Sequence, residues 1–167
     1  MKRLLLLRHA KAVPGGDDVD DEARMLAPRG QDDAAAMGRY LRKSGAAPRP
    51  VLVSPAARTL ETASLVLREL DRTDDFEIVE ALYLATPGTI LAAIQAAPKK
   101  AEEVMVVGHN PGLESLFLIL SDKKPAGIAG EKFPTCALAV LDFAIDDWRD
   151  VAPGAGMLAR FLRPSDL

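Results

Sequence analysis

The sequence predicts an α/β fold in which a mostly parallel central sheet carries helices on both faces, as a three-layer sandwich. Short apolar runs alternate along the chain with segments whose apolar residues recur at helical spacing. The first runs are apolar at every position, which is typical of strands buried on both faces of a parallel sheet. The length of 167 residues fits one sizeable core, so we predict a single domain over residues 1–167.

Six apolar runs bounded by loop-forming residues predict the strands. Four of the runs are strongly apolar and two are weaker candidates. The stronger runs cover residues 4–7, 51–53, 104–107 and 138–143, and the weaker ones cover residues 77–79 and 157–162.

Four segments with apolar residues three or four positions apart predict the helices, because this spacing places the side chains on one helical face. The residues that define these faces are Ala34, Met37 and Leu41; Leu60, Ala63, Leu67 and Leu70; Ile90, Leu91 and Ile94; and Leu113, Leu116, Phe117 and Leu120.

Composition argues against several classes of function. The net charge is −3 and the lysines and arginines are interspersed, so the chain lacks the basic face typical of nucleic-acid binding. No apolar stretch approaches the roughly 20 residues that cross a bilayer. One cysteine forms no internal disulfide and the apolar run after Lys2-Arg3 is short for a signal peptide, so we expect a cytoplasmic protein. That cysteine, Cys136, has no cationic neighbour in sequence and is expected to be a core residue.

Residues 14–24, with the sequence PGGDDVDDEAR, form the conspicuous irregular segment. Its five acidic residues fall within positions 17–22. We interpret them as a solvated loop, with a lid or a cation-binding role as the alternative.

Polar residues follow three of the predicted strands at the point where each strand ends. Arg8 and His9 follow the first, Ser54 follows the second with Arg58 four residues further on, and His109 follows the third. Ligands of open α/β sheets bind at the carboxyl ends of the strands. We therefore expect these side chains to face one crevice.

The Ser-Pro pair at 54–55 and the Asn-Pro pair at 110–111 each combine a good N-cap with proline at a first helical position. A helix is therefore expected to begin directly after each of these strands, with free backbone N–H groups that favour an anion. Arg8 and Arg58 add forked donors that suit phosphate oxygens. The sequence predicts a phosphoryl group as the ligand.

The two histidines of the chain, His9 and His109, each follow an apolar run. A neutral imidazole can attack phosphorus, and a protonated one can donate to the phosphoryl oxygens. A lone histidine is more often structural, but two at converging strand ends beside arginines favour catalysis. The chain has no P-loop, HExxH motif or paired-cysteine spacing, so we predict neither a metal nor another cofactor.

Three motifs, LLLLRHAKA, LVSPAARTLETA and VMVVGHNPGLE, resemble in order and spacing the signatures of the histidine phosphatase, or phosphoglycerate mutase-like, superfamily. The closing segments ALAVLDF and LARFLRP resemble its small SixA-type phosphohistidine phosphatase branch. Many members of the superfamily have glycine after the first histidine, where this chain has Ala10. The resemblance implies a phosphoglycerate mutase-like fold.

The resemblance also implies roles for individual residues. His9 would be the nucleophile that becomes phosphorylated, and His109 would donate to the phosphoryl oxygens in the transition state. Arg8 and Arg58 would hold those oxygens. Arg24 resembles a further substrate-binding arginine of SixA-type enzymes, with an exposed surface arginine as the alternative.

Larger relatives carry a carboxylic acid that protonates the leaving oxygen, and this chain has no firm motif for it. Glu80 lies near the expected region, with a capping or surface glutamate as the alternative. Glu61 and Glu114 lie within two of the motifs, on the helices predicted after the strands, and are candidates for supporting the arginines and histidines.

A site without a dedicated acid favours phosphohistidine, because its imidazole leaving group needs less protonation than an alkoxide. The short chain also leaves little room to enclose a small substrate. We therefore predict phosphohistidine on a protein as the substrate, with a histidine-containing phosphotransfer domain as a candidate partner and no obligate partner. The alternatives are a phosphomonoesterase for a small phosphorylated metabolite and a non-catalytic phosphate-binding module.

Overall fold

Six strands form one sheet in a computed structural model that describes residues 1–124 and 133–167. The strands are β1 (Lys2–Arg8), β2 (Val51–Val53), β3 (Glu77–Ile78), β4 (Glu103–Gly108), β5 (Leu138–Phe143) and β6 (Met157–Leu162). Their order in the sheet is β3-β2-β4-β1-β5-β6, and the first four pair in parallel. Strand β5 runs antiparallel to β1, and β6 antiparallel to β5. The predicted α/β class with a mostly parallel sheet is confirmed.

Within the described part of the chain, four α-helices cover the two faces of this sheet. They are α1 (Pro28–Ser44), α2 (Ala57–Glu69), α3 (Pro87–Gln95) and α4 (Gly112–Leu120). Short 3₁₀ turns occur at Asp21–Ala23, Glu80–Leu82, Trp148–Asp150 and Pro164–Asp166. Each predicted helical face falls on one of these helices, except that Leu70 is the cap residue directly after α2.

The leucine run of β1 is apolar throughout because both of its faces are buried. Leu4 and Leu6 belong to one core cluster, which includes residues of α3 and α4. Leu5 and Leu7 belong to the other, which includes residues of α1 and α2. Alternate side chains of a strand point to opposite faces, so a central strand between two helical layers has no polar position in its middle.

The predicted helix starts after β2 and β4, at Pro55 and Pro111, are too early by two residues and by one residue, respectively. Helix α2 begins at Ala57 rather than after Ser54, and its Ala56 cap makes no side-chain hydrogen bond. Helix α4 begins at Gly112 after Pro111. The side chain of Ser54 instead contacts a histidine at the sheet edge, so tertiary contacts override the local capping preference.

Among the described residues, every helix is too short or too polar to cross a lipid bilayer.

Helices α1 and α2 approach closely at Gly38. A Cβ atom at this position would lie 2.8 Å from the Val66 carbonyl oxygen and 2.8 Å from Glu69 Cβ. We expect Gly38→Ala to lower the free energy of unfolding by about 1 to 3 kcal/mol, because the two helices must separate to admit the methyl group. Urea unfolding followed by circular dichroism measures this change.

Gly88→Ala is the matched control, because Gly88 lies in α3 and an added methyl group there would lie 4.0 Å from its nearest neighbour, Thr86 Oγ1. We expect no loss there, and a gain of up to about 1 kcal/mol from helix propensity. Equal destabilisation by both substitutions would contradict the close approach of α1 and α2.

Candidate active site

The parallel pairing of β1 with β4 brings the two histidines together. Arg8 lies opposite Gly108 in the register, and the His9 N–H donates to the Gly108 carbonyl at 3.1 Å. Both chain segments leave the sheet at the same level, since a histidine is the next residue on each strand. The ring centroids of His9 and His109 are 5.4 Å apart.

A pocket of about 390 Å³ opens at this edge of the sheet. Its lining includes the five positions that the sequence nominates for catalysis and substrate binding. The lining residues are Arg8, His9, Lys11, Ala12, Asp21, Arg24, Arg58, Leu84, His109, Asn110 and Thr135.

The His9 ring is held in one tautomer. Its Nδ1 lies 2.7 Å from the carbonyl oxygen of Ala10. A carbonyl oxygen only accepts hydrogen bonds, so Nδ1 carries the proton and the lone pair of a neutral ring is on Nε2. His9 is 9% exposed and lines the pocket.

His109 is also buried and is oriented by β2. Its Nε2 lies 2.7 Å from the hydroxyl oxygen of Ser54, which in turn accepts the Ala56 N–H at 3.4 Å. Its Nδ1 has no hydrogen-bond partner among the described residues. The Tyr83 ring meets the His109 ring edge-on, at a centroid distance of 5.6 Å. The His109 ring is therefore fixed from two sides.

Three arginines surround the histidines. The Arg8 Nη1 donates to the Phe133 carbonyl at 3.0 Å, and the Arg24 Nε donates to the Val13 carbonyl at 3.0 Å. Arg58 is 4% exposed and lies at the start of α2. The structure thus brings Arg24 to the pocket together with Arg8 and Arg58.

The acidic segment is partly solvated and partly built into the pocket. It projects between positions 12 and 26, which are joined by an antiparallel bridge. Asp17 and Asp18 are exposed, as predicted for a solvated loop. Asp21 instead turns inward and forms ion pairs with Arg24 at 3.0 Å and with Arg58 at 3.1 Å. The described residues contain no group of three or more His, Cys, Asp or Glu side chains that could hold a metal ion.

Comparisons with known proteins agree with this geometry. The solved structure assigned as the phosphohistidine phosphatase SixA of Nakamurella multipartitia has a TM-score of 0.81 and 31% identity, and the match covers 98% of this chain and 96% of that chain. The structure assigned as SixA of Agrobacterium tumefaciens has a TM-score of 0.79 and 30% identity, with 98% and 99% covered. This chain belongs to the SixA branch of the histidine phosphatase superfamily.

Curated sequences include an uncharacterised protein of Mycobacterium tuberculosis that is 37% identical to this histidine phosphatase over 164 residues, which is 95% of this chain and 99% of that protein. No family model matches the chain. The fold and the family stated for the three motifs are confirmed, whereas the roles of the individual site residues stay predictions.

The three glutamates nominated as acid or supporting groups do not line the pocket of this phosphatase. Glu80 begins the 3₁₀ turn at 80–82 and is exposed. Glu61 accepts the Leu26 N–H at 2.9 Å, so it supports the end of the acidic segment. Glu114 donates its backbone N–H to Asn110 Oδ1 at 3.2 Å. An acid role for Glu80 or Glu61 has no geometric support. Glu61 contacts the end of the acidic segment rather than an arginine or a histidine, and the Glu114 carboxylate accepts from Asn110 Nδ2 at 3.4 Å. Support of the arginines and histidines by Glu61 and Glu114 stays a prediction.

Three residues at the site escape the sequence reasoning. Asp21 is one of five acids in a segment that is otherwise solvated, and only its spacing of three residues from Arg24 marks it. Tyr83 is one of two tyrosines, but no motif includes it. Ser54 is marked by its place at a strand end, but as a helix cap rather than as the partner of His109.

Gly112, the first residue of α4, packs directly on the segment that contains Tyr83 and Leu84. A Cβ atom at Gly112 would overlap the carbonyl oxygen of Ala85. Leu84 lines the pocket, is 55% exposed and has a φ of +46°, a left-handed conformation that is uncommon for leucine.

Burial keeps both imidazoles of this phosphatase neutral. Burial, together with the charges of nearby guanidinium groups, lowers the pKa of His9 to about 4 and the pKa of His109 to about 3. Arg8 and Arg58 contribute at His9, and Arg58 contributes at His109. A neutral His9 has the free electron pair that attack on phosphorus requires. Burial also raises the pKa of the Cys136 thiol to about 12, so this cysteine is an inert core residue, as predicted.

We expect neither histidine ring to titrate between pH 8 and pH 5.5 in the free protein, because both pKa values lie below the ordinary value of about 6.5. Proton–carbon correlation NMR reads this directly, since the chain has two histidines. Arg58→Ala is the control and is expected to raise both pKa values. A wild-type ring that titrates near pH 6.5 would show that it is solvated.

Proposed function

We propose that this histidine phosphatase removes the phosphoryl group from phosphohistidine on a protein, through a covalent phosphohistidine intermediate on His9. The observation that carries the proposal is the His9 tautomer: the Nδ1 hydrogen bond to Ala10 directs the Nε2 lone pair to the pocket side of the ring. Three arginines line the same pocket.

The first step transfers the phosphoryl group to the protein. His9 Nε2 forms a bond to phosphorus while the bond from phosphorus to the substrate nitrogen breaks. A substrate ring that is protonated on its other nitrogen leaves as neutral imidazole. The three guanidinium groups and the His109 ring stabilise the charge on the phosphoryl oxygens, which is the main contribution a protein makes to phosphoryl transfer.

The second step restores the free protein. Water attacks the phosphorus of the His9 adduct, the bond from phosphorus to Nε2 breaks, and the proton of the water leaves to solvent or to the departing phosphate. Inorganic phosphate is the product. The Nδ1 proton of His9 keeps its hydrogen bond to the Ala10 carbonyl through both steps, so the ring returns to the tautomer it had before attack.

The lack of a placed acid among residues 1–124 and 133–167 supports phosphohistidine over a phosphate ester. Of the side chains that line the pocket, Asp21 is the carboxylate, and it is ion-paired with two arginines. An alkoxide leaving group requires protonation, whereas a protonated imidazole does not. The exposed Leu84 at the pocket supplies an apolar surface for an imidazole ring or for a protein surface around it. A histidine-containing phosphotransfer domain is the partner that we propose.

The volume of the pocket favours a second candidate. A space of about 390 Å³ accommodates a small phosphorylated metabolite, so a phosphomonoesterase is the alternative function. A direct comparison of substrates therefore distinguishes the phosphohistidine phosphatase from the phosphomonoesterase.

His9→Ala is expected to lower turnover about a thousandfold or more, because it removes the nucleophile. Inorganic phosphate should still bind, since the three arginines remain. Phosphorylated wild-type protein, quenched in alkali, should contain acid-labile label that the variant lacks. Label that persists in His9→Ala would place the phosphoryl group on another residue and overturn the proposed intermediate.

A substrate panel tests the proposed specificity. We expect kcat/KM for a phosphohistidine peptide to exceed that for a matched phosphoserine peptide and for sugar phosphates by about 100-fold, the usual contribution of a general acid. Phosphate release measured at equal substrate concentrations gives these ratios. Faster turnover of a sugar phosphate would favour the phosphomonoesterase.

A further inference from the structure

Asp21 connects two of the arginines that line the pocket. Its Oδ1 accepts from Arg24 Nη1 at 3.0 Å, and its Oδ2 accepts from Arg58 Nη2 at 3.1 Å. Its backbone carbonyl accepts from Arg58 Nη1 at 2.7 Å. The Tyr83 hydroxyl donates to Oδ2 as well. One residue of the acidic segment therefore makes four polar contacts in the phosphoryl site.

These contacts leave both guanidinium groups able to bind an anion. A guanidinium group has five N–H donors. Arg58 uses one Nη1 and one Nη2 hydrogen on Asp21, and Arg24 uses Nε on Val13 and one Nη1 hydrogen on Asp21. Three donors of each group remain for a ligand. Asp21 therefore fixes the planes of the two guanidinium groups and leaves N–H donors on each of them for a ligand.

The charges in the pocket favour the same interpretation. Three guanidinium groups and one carboxylate lie beside two neutral imidazoles. The ammonium group of Lys11 also lines the pocket, so the net charge of these lining side chains is +3, which favours an anion such as a phosphoryl group. Without Asp21 the guanidinium groups of Arg24 and Arg58 would repel each other in the free protein, because the carboxylate between them would be missing.

Asp21 is held as an anion and is therefore not a proton donor. The hydrogen bond from Tyr83 and those from Arg24 and Arg58 lower the pKa of its carboxyl well below the ordinary value. Tyr83 also contacts the His109 ring. The same tyrosine thus contacts both the carboxylate and the second histidine.

We propose that Asp21 is a positioning residue for phosphoryl transfer, which orients Arg24 and Arg58 through its carboxylate and is itself oriented by Tyr83. This role rests on the proposed phosphatase function. Asp21 acts through the arginines and does not exchange a proton with the substrate.

Asp21→Asn separates this role from a merely structural one, because its two readouts move in opposite directions. We expect kcat to fall about 10- to 100-fold, since the arginines lose their fixed orientation. We expect inorganic phosphate to bind about threefold or more tightly, since one negative charge has left the pocket. Steady-state kinetics and titration calorimetry measure the two quantities on the same preparation.

Two variants act as controls. Asp18→Asn removes the same charge from the same segment, where the side chain is exposed, and is expected to leave kcat and phosphate affinity within about twofold of wild type. Tyr83→Phe keeps the ring beside His109 but removes the hydroxyl, and is expected to lower kcat less than Asp21→Asn does.

A double-mutant cycle tests whether Asp21 acts through Arg58. In an Arg58→Ala background, Asp21→Asn should lower kcat by less than about one third of the factor that it shows alone, because the group it orients is missing. Full additivity of the two changes would overturn the proposal. A rise in kcat together with tighter phosphate binding would also overturn it and would identify Asp21 as a competing anion.

These outcomes are distinguishable from a failure of the proposed function. If the wild-type protein releases no phosphate from any substrate, the phosphatase proposal fails regardless of Asp21. If wild type is active and Asp21→Asn is as active with unchanged phosphate affinity, only the positioning role fails.

Discussion

The register between β1 and β4 is the constraint on which the site depends. Because Arg8 is paired with Gly108, the next residues on the two strands, His9 and His109, lie side by side. A slip of one residue would exchange the two faces of a strand, and Leu4 and Leu6 would trade core clusters with Leu5 and Leu7. These four residues are all leucine, so a slip would change little in side-chain volume there. Polar contacts at the start of β1 favour the observed register, since Lys2 donates to the Ala101 carbonyl at 2.8 Å and Arg3 pairs with Asp142 at 2.7 Å. Contacts at one end of the strand therefore help to place the histidine that follows its other end.

The site combines groups that are costly to bury, and each has a compensating partner. A buried imidazole is least costly when neutral, and the carbonyl of Ala10 and the hydroxyl of Ser54 satisfy one nitrogen of each ring. Buried guanidinium groups need acceptors, which are supplied by backbone carbonyls and by Asp21. The pocket is thus cationic overall, although the whole chain carries a net charge of −3. Anion selectivity is a local property here, separate from the net charge.

Much of the fold is predictable because it depends on periodic apolar residues. The strand predicted over 138–143 matches β5 to the residue, and β1 differs from its predicted run only by polar ends. Positions in the site depend on contacts between distant segments, and these are harder to predict. Ser54 has the local character of a helix cap, and only the folded chain shows that it faces His109. Asp21 is indistinguishable by composition from its acidic neighbours, since its contacts lie 3 to 62 residues away in sequence. Glu80 is a candidate by its position in the chain, which does not determine the direction of a side chain.

The close contact between Gly112 and Ala85 has a consequence for how such a pocket can diversify. The pocket wall at Leu84 continues into Ala85, whose carbonyl packs against Gly112 at the start of the helix that follows His109, so a change in this backbone would also disturb the helix beside that histidine. The opposite wall, between positions 12 and 26, is closed at its base by backbone hydrogen bonds and contacts the arginine of α2 through Asp21. New leaving-group preferences would therefore arise by remodelling that hairpin, and library design for altered selectivity should concentrate there.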